Sequence, residues 1–381
     1  MRIDSVSAYP LRCILKQPFA YSQKWFRHRT ALLVKVVTDE GVTGWGEVFC
    51  HDAGPALAAI IERVYRPLLV GRDALAREVI WETLYNWTRD YGQKGLTTAA
   101  LSGIDIALWD IAGKVAGLPV CKLLGGNFRD QVQAYATGMY LTEKAMADPA
   151  VLAQEASAYV EQGFRAVKMK VGFGLQRDIA NVASVRKAIG DEVSLMVDAN
   201  HACDVATAIR LGRVLQDQRV AWFEEPVVPE DIEGYCAVRH ALDVPIAGGE
   251  AEFTRYGFRS LIERGAVDIV QPDICITGGI SETKKIATLA QTWHVRCIPH
   301  VWGTGVAIAI ALHVIATLPD EPPSLHSLPP LLELDRTENP LRDEILVTPL
   351  QLKAGSMKVP EGPGLGVEVD ESVIEKYLCR Q

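Results

Sequence analysis

The chain lacks paired cysteines, basic runs and any apolar stretch of membrane length. Its eight cysteines, Cys13, Cys50, Cys121, Cys203, Cys236, Cys275, Cys297 and Cys379, are scattered, with no CxxC pair. That scatter, in a chain of 381 residues, predicts reduced and mostly buried thiols. The start, MRIDSVSAYPLRCILKQPF, carries Asp4 and no long apolar segment. Together with reduced thiols it predicts a cytoplasmic protein. The most apolar stretch, Val306 to Leu318, is too short to span a bilayer and contains His313, so no membrane segment is expected. Positive charge is also in deficit. The chain has 39 Lys and Arg against 47 Asp and Glu, a net charge of −8, which argues against nucleic acid or an anionic membrane as partner. What remains is an ordinary folded composition, 49% hydrophobic and 23% charged, at a length that suits two or three domains. An anionic small molecule is still allowed where local cations or a metal ion invert the field in one pocket.

The first third reads as strands followed by helices. ALLVKVV, TDEG and VTGWGEV form a hairpin pattern around a glycine-containing turn. Leu101, Ile104, Leu108, Ile111, Val115 and Leu118 then recur at helical spacing. Thr97 or Thr98 is the expected N-cap, and Gly117-Leu118-Pro119 the stop. LLGGNFRD is a plausible junction. From residue 131 onward strands and helices alternate. The strand candidates are VQAYATG, AVKMKVG, SLMVDAN, VAWFEEP, VPIAGGE, VDIVQPD, VRCIPH and LLELD. Eight strands with intervening helices predict an α/β fold closed into a barrel.

Those strands end on a regular beat of chemistry-bearing residues. Lys168 with Lys170, Asp198, Glu224, Glu250, Asp273 and His300 recur every 23 to 28 residues, the length of one strand, helix and return loop. A barrel brings its strand ends to one face, where active sites form. Asp198, Glu224 and Glu250 can therefore converge on one ion. An all-oxygen set favours a hard divalent cation, Mg2+ first and Mn2+ second. Asn200 is a further ligand or a partner of one. Lys168 and Lys170, at i and i+2, face the same way. Their mutual repulsion is expected to lower a lysine pKa, which makes Lys170 a proton shuttle and Lys168 a partner for a substrate carboxylate. Asp273 can fix the tautomer of His300 and leave its other nitrogen free to move a proton. Glu333 is a candidate hydrogen-bond donor or electrostatic partner on the eighth strand, with Asp335 competing for that place. A metal between a lysine and a histidine suits removal of a proton next to a carboxylate. His51, His201, His294, His313 and His326 have no carboxylate companion in the pattern and read as ordinary packed or solvated histidines.

The segments TTAALSGIDIALWDIAGK, KMK, VDAN, WFEEP, GGE, QPD and PHVWGTG resemble the mandelate racemase subgroup of the enolase superfamily over nearly the whole length. The resemblance implies a (β/α)7β modified TIM barrel under an α+β capping domain. It divides the chain into a capping domain (residues 1–127), the barrel (128–335) and a segment returning to the cap (336–381). It implies Mg2+ on Asp198, Glu224 and Glu250, acid/base roles for Lys170 and the His300–Asp273 dyad, and a supporting role for Lys168. The muconate-lactonizing subgroup carries a lysine near the end of the sixth strand, and QPDICITGG has none there. YATGMY, WFEEPVVPE, PHVWGTGV and ELDRTENPLRDEIL are similar to segments of D-galactaro-1,4-lactone cycloisomerases and acid-sugar dehydratases. The substrate is then a small sugar acid, and a homo-oligomer is expected at family level. Candidate substrate contacts are Asn200, His51, Trp302, Lys24 and Trp25. The loop residues Tyr21, Gln23, Lys24, Trp25, Arg27, His28, Arg29 and His51 suggest a polar cap wall, better suited to a polyhydroxylated acid than to a phenyl ring.

Overall fold

The computed structural model of the chain describes residues 1–379. Strands β1 (Ile3–Ala20), β2 (Trp25–Thr38) and β3 (Thr43–Val48) form an antiparallel sheet in that order. The hairpin expected from the sequence is the β2–β3 pair. Strand β1 was not legible as a strand. Register shifts between Ile3 and Ser5 and between Ile14 and Phe19 interrupt its pairing with β2, so its residues do not alternate cleanly between faces.

Helix α2 (Leu96–Ala116) packs on this sheet, and α1 (Arg77–Thr88) packs against α2 in the same core. Leu101, Ile104, Leu108 and Ile111 share a core with Val34, Val36 and Val48, whereas Val115 and Leu118, assigned to the same face, are exposed. Neither threonine caps α2. The residue before the helix is Gly95, and the hydroxyls of Thr97 and Thr98 donate back to the Gly92 carbonyl. The helix is buried all round from Thr97 to Gly113, because it lies between the sheet and the barrel. Gly46 of β3 makes room for it, since a Cβ there would collide with the Gly103 carbonyl.

The barrel strands are β4 (Gln131–Gly138), β5 (Ala166–Lys170), β6 (Ser194–Asp198), β7 (Val220–Glu224), β8 (Ile246–Gly248), β9 (Ile269–Val270), β10 (Arg296–Cys297) and β11 (Leu332–Asp335). They form one parallel sheet, with β4 to β10 in sequence order and β11 paired to the free side of β4. One main helix follows each of the first seven strands: α3 (Ala150–Glu161), which a short helix at Glu143–Ala147 precedes, α4 (Leu175–Ile189), α5 (Val205–Asp217), α6 (Ile232–Ala241), α7 (Thr254–Glu263), α8 (Gly279–Thr292) and α9 (Gly305–Ala316). This is the (β/α)7β barrel with an N-terminal cap.

Strand alternation then builds the site. Val167, Met169, Leu195, Val197 and Phe223 face outward into the main core beneath the helices. Tyr135, Ala166, Met196, Trp222, Ala247, Ile269 and Ile298 face inward and plug the barrel. Two residues further along each strand the inward positions become Thr137, Lys168, Asp198 and Glu224. A charged layer therefore sits on an apolar floor. After β11, the short strands β12 (Leu352–Lys353) and β13 (Ser356–Lys358) add antiparallel to β4, and α10 (Glu371–Tyr377) lies on β1 of the cap. No helix among the described residues is long and apolar enough to cross a membrane.

Candidate active site

On one side of the charged layer β5 presents its two lysines. Lys168 is fully buried and bonds Glu224 Oε1 at 2.5 Å and Glu333 Oε1 at 2.8 Å. Lys170 bonds Asp198 Oδ2 at 2.5 Å, the pairing that the β5–β6 register sets. Burial alone would lower both lysine pKa values. The carboxylates more than reverse it: Glu224 and Glu333 for Lys168, Asp198 for Lys170, so both are raised. The expected lowering by mutual repulsion is thus corrected. Here each ammonium faces a carboxylate more closely than it faces the other lysine.

The centre is acidic. One oxygen each from Asp198, Glu224 and Glu250 lies within 4.8 Å of the others. Trp222 Nε1 and Gln271 Nε2 donate to Glu224 Oε2 at 2.9 and 2.8 Å and orient that carboxylate. Asn200 donates its backbone N–H to Asp198 Oδ1 (2.8 Å) and its Nδ2 to Glu250 Oε1 (3.3 Å). The buried atoms Glu250 Oε2 and Asn200 Oδ1 have no hydrogen-bond partner. Glu225, also buried, has its carboxyl pushed well up by burial and by Glu250, Asp198 and Glu224. Unpartnered acceptors beside crowded carboxylates, with no sulfur or imidazole within the triad, fit a hard divalent cation.

On the opposite side Asp273 Oδ2 bonds His300 Nδ1 at 2.7 Å. His300 Nε2 points to the centre, 3.5 Å from Glu250 Oε2 and 4.0 Å from Glu333 Oε2. Burial would lower the imidazole pKa, but Glu250, Glu333 and Asp273 bring it to about 10. Glu250, Asp273 and His300 are not strand-terminal residues as expected. They follow β8, β9 and β10 by two or three residues, because those strands are short. Glu333 accepts from Thr137 Oγ1 (2.6 Å) and from the Val301 N–H (3.2 Å). Burial would raise its carboxyl, yet Lys168, His300 and Lys170 hold it down at about 2. In this arrangement it accepts these hydrogen bonds and serves as an electrostatic partner of Lys168. Asp335 does not compete for its place: it pairs with buried Arg29 of the cap at 2.6 Å.

A cavity of about 250 Å³ connects these groups. Lys170, Asn200, Glu250, His300 and Glu333 line its barrel side, as do Trp302 and Tyr140. The cap side is aromatic: Tyr21, Phe26, Phe49 and His51. This corrects the polar wall expected from the loop composition. His51 packs against the rings of Phe26, Phe49 and Trp302, and burial lowers its pKa to about 4, so it is a neutral ring near pH 7. Two candidates fall outside. Trp25 is 39% exposed, turned outward because Phe26 takes the inward position, and Lys24 lies over the Phe26 ring at 5.1 Å without lining the cavity. Arg29 stacks beneath Trp302 at 4.4 Å and has a packing role. Ser22 and Gln23 latch the cap loop to the carbonyls of Ala199 and Asn200. The sequence reading missed Phe26, Phe49 and Tyr140. Only Tyr140, just past a barrel strand within YATGMY, carried a positional signal.

The comparisons with known proteins agree with this architecture. Residues 6–125 match the mandelate racemase / muconate lactonizing enzyme N-terminal domain, and residues 151–373 match the enolase C-terminal domain-like family. The chain is 44% identical over 379 residues to the D-galactarolactone cycloisomerase of Agrobacterium fabrum, covering 99% of each sequence. The structure of the 3,6-anhydro-D-galactonate cycloisomerase from Zobellia galactanivorans superposes with a TM-score of 0.90 at 42% identity, over 100% of both chains. A racemase from Streptomyces coelicolor A3(2) with bound magnesium superposes at 0.89 and 28% identity, over 99% of this chain and 100% of that one. The chain belongs to the mandelate racemase / muconate lactonizing enzyme family of the enolase superfamily.

Proposed function

We propose that this protein is a Mg2+-dependent enzyme that removes the proton α to the carboxylate of an aldaro-lactone or aldarate and then eliminates a β-oxygen. One observation carries the reading. Lys170 and the His300–Asp273 dyad flank the Asp198, Glu224 and Glu250 cluster from opposite sides of a single cavity. Mg2+ on that cluster, with Mn2+ as the second choice, would supply positive charge where enolate oxygens gather negative charge. Lys168 and Glu333 set the charge around the substrate carboxylate, and Asn200 braces two of the ligands. His300 and Lys170 reach the substrate from opposite faces, one to take the α-proton and the other to return one. With a lactone the ring carboxylate leaves and the ring opens. With an open-chain acid, water leaves and a 2-keto-3-deoxy acid forms. The aromatic cap wall suits the apolar face of a ring.

The name of the Agrobacterium fabrum relative supports the lactone first. The test is turnover by the purified protein with Mg2+ on a panel of hexarates, pentarates and their lactones. Keto-deoxy product from a lactone is expected, and no turnover across the panel would sink the assignment. A second reading, a racemase or epimerase, is supported by the presence of two candidate bases, Lys170 and His300, on one cavity. It would return inverted, deuterated substrate from D2O in place of a keto acid.

A further inference from the structure

The dyad is the part of the site that its own strands hold least. β9 and β10 are two residues long, and Asp273 and His300 lie three residues beyond them. Proton transfer requires placement to within about 0.5 Å, so other contacts must fix them. The segment carrying His300 is pinned at three points. Val301 N–H donates to Glu333 Oε2 (3.2 Å), and Asn339 Nδ2 donates to the Gly303 carbonyl (3.2 Å). The third pin comes from the cap. Glu47 at the end of β3 accepts from the Thr304 N–H (2.9 Å), the Thr304 hydroxyl (2.5 Å) and the Ala307 N–H (2.9 Å). It is 1% exposed and meets the open N–H groups at the N-terminus of α9, where a carboxylate is favoured. Gly303 leaves it that room: a Cβ there would lie 2.5 Å from Glu47 Oε1. The same cap segment reaches the other member of the dyad. Phe49 N–H donates to the Cys275 carbonyl (3.2 Å), and Cys275 N–H donates to Asp273 Oδ1 (2.7 Å). The Phe49 ring also meets the His300 ring edge-on at 5.9 Å.

We propose that Glu47 is a positioning residue for the Asp273–His300 dyad, so that the cap completes the proton-transfer apparatus as well as walling the cavity. The inference rests on the reading of His300 as a base. The molecule supplies its own control. Asp110, another buried cap carboxylate, accepts from the Trp45 and Leu365 N–H groups at 2.9 Å each and pairs with Lys114. Its contacts lie away from the 300–307 segment. Glu47→Gln keeps the shape but turns an N–H donor toward the donors of α9.

The experiment compares Glu47→Gln, Asp110→Asn and His300→Asn on D-galactaro-1,4-lactone with Mg2+. It adds melting temperatures and the downfield Nδ1 proton of His300 in the resting, 15N-histidine-labelled protein. Glu47→Gln should lower kcat by about tenfold or more with KM within about twofold, and should shift or broaden that resonance. Asp110→Asn should lower the melting temperature while leaving kcat and the resonance near wild type. If Glu47→Gln does not fold, Glu47→Asp should show the same pattern more weakly. Wild-type kcat and an unmoved resonance in a folded Glu47 variant would overturn the proposal, as would equal losses of both in Asp110→Asn. Full activity in His300→Asn would instead remove the base assignment, which separates the two failures. The resonance is read without turnover, so it tests Glu47 even if the lactone is not the substrate.

Discussion

The two flanks of the site, both proposed to move protons, are built by different structural routes. The lysine flank is written into a strand. Lys168 and Lys170 alternate with outward apolar residues on β5, and the β5–β6 register sets Lys170 beside Asp198. The histidine flank sits in loops after two-residue strands and depends on contacts from elsewhere: Glu333 on β11, Asn339 beyond it, and Glu47 and Phe49 from the cap. A strand can hold a fully buried ammonium because its neighbours supply counter-charge at fixed spacing. A loop needs a second domain.

The largest expected effects treat the flanks as equals in chemistry. Lys170→Ala and His300→Asn should each lower kcat about 10³-fold, measured by steady-state assay on the lactone with Mg2+. A loss on one flank alone would reduce the pair to a single base. Stability should separate the flanks. Lys168→Met leaves Glu224 and Glu333 buried without their ammonium, and urea unfolding should show a loss of about 3–5 kcal/mol. His300→Asn removes one buried hydrogen bond to Asp273 and should cost about 1–3 kcal/mol. The centre shared by the flanks should bind the ion. Mg2+ at about 100-fold over its Kd should stabilise the fold by about 2.7 kcal/mol in thermal melts, with chelator reversing it and Glu250→Gln diminishing it. The smallest effect belongs to Trp25→Ala. This exposed residue should change stability by no more than about 0.5 kcal/mol and leave kcat/KM unaltered.

The difference between the flanks is also the difference in what could be read in advance. Period-two alternation made the inward face of β5, β6 and β7 legible, and with it Lys168, Lys170, Asp198 and Glu224. Spacing alone found Glu250, Asp273 and His300, since their strands are too short to alternate. The cap was harder. Its register shifts hid β1, and the burial of α2 on two sides hid the surface it offers the barrel. The aromatic wall was misjudged because Lys24, Trp25 and Arg27 dominate the loop's composition, while Phe26 is the residue that points in. Glu47 had no local signal: its partners Thr304 and Ala307 lie more than 250 residues away in sequence.

The most direct test of the central claim is to follow D-galactaro-1,4-lactone by 1H NMR in D2O with enzyme and Mg2+. Removal of the α-proton and departure of the ring carboxylate predict loss of the α-proton signal and a ring-opened keto-deoxy acid carrying solvent deuterium at the former β-carbon. The ring-opened product should be absent in His300→Asn. Lactone recovered with its α-proton intact, or recovered inverted and deuterated without ring opening, would contradict the account.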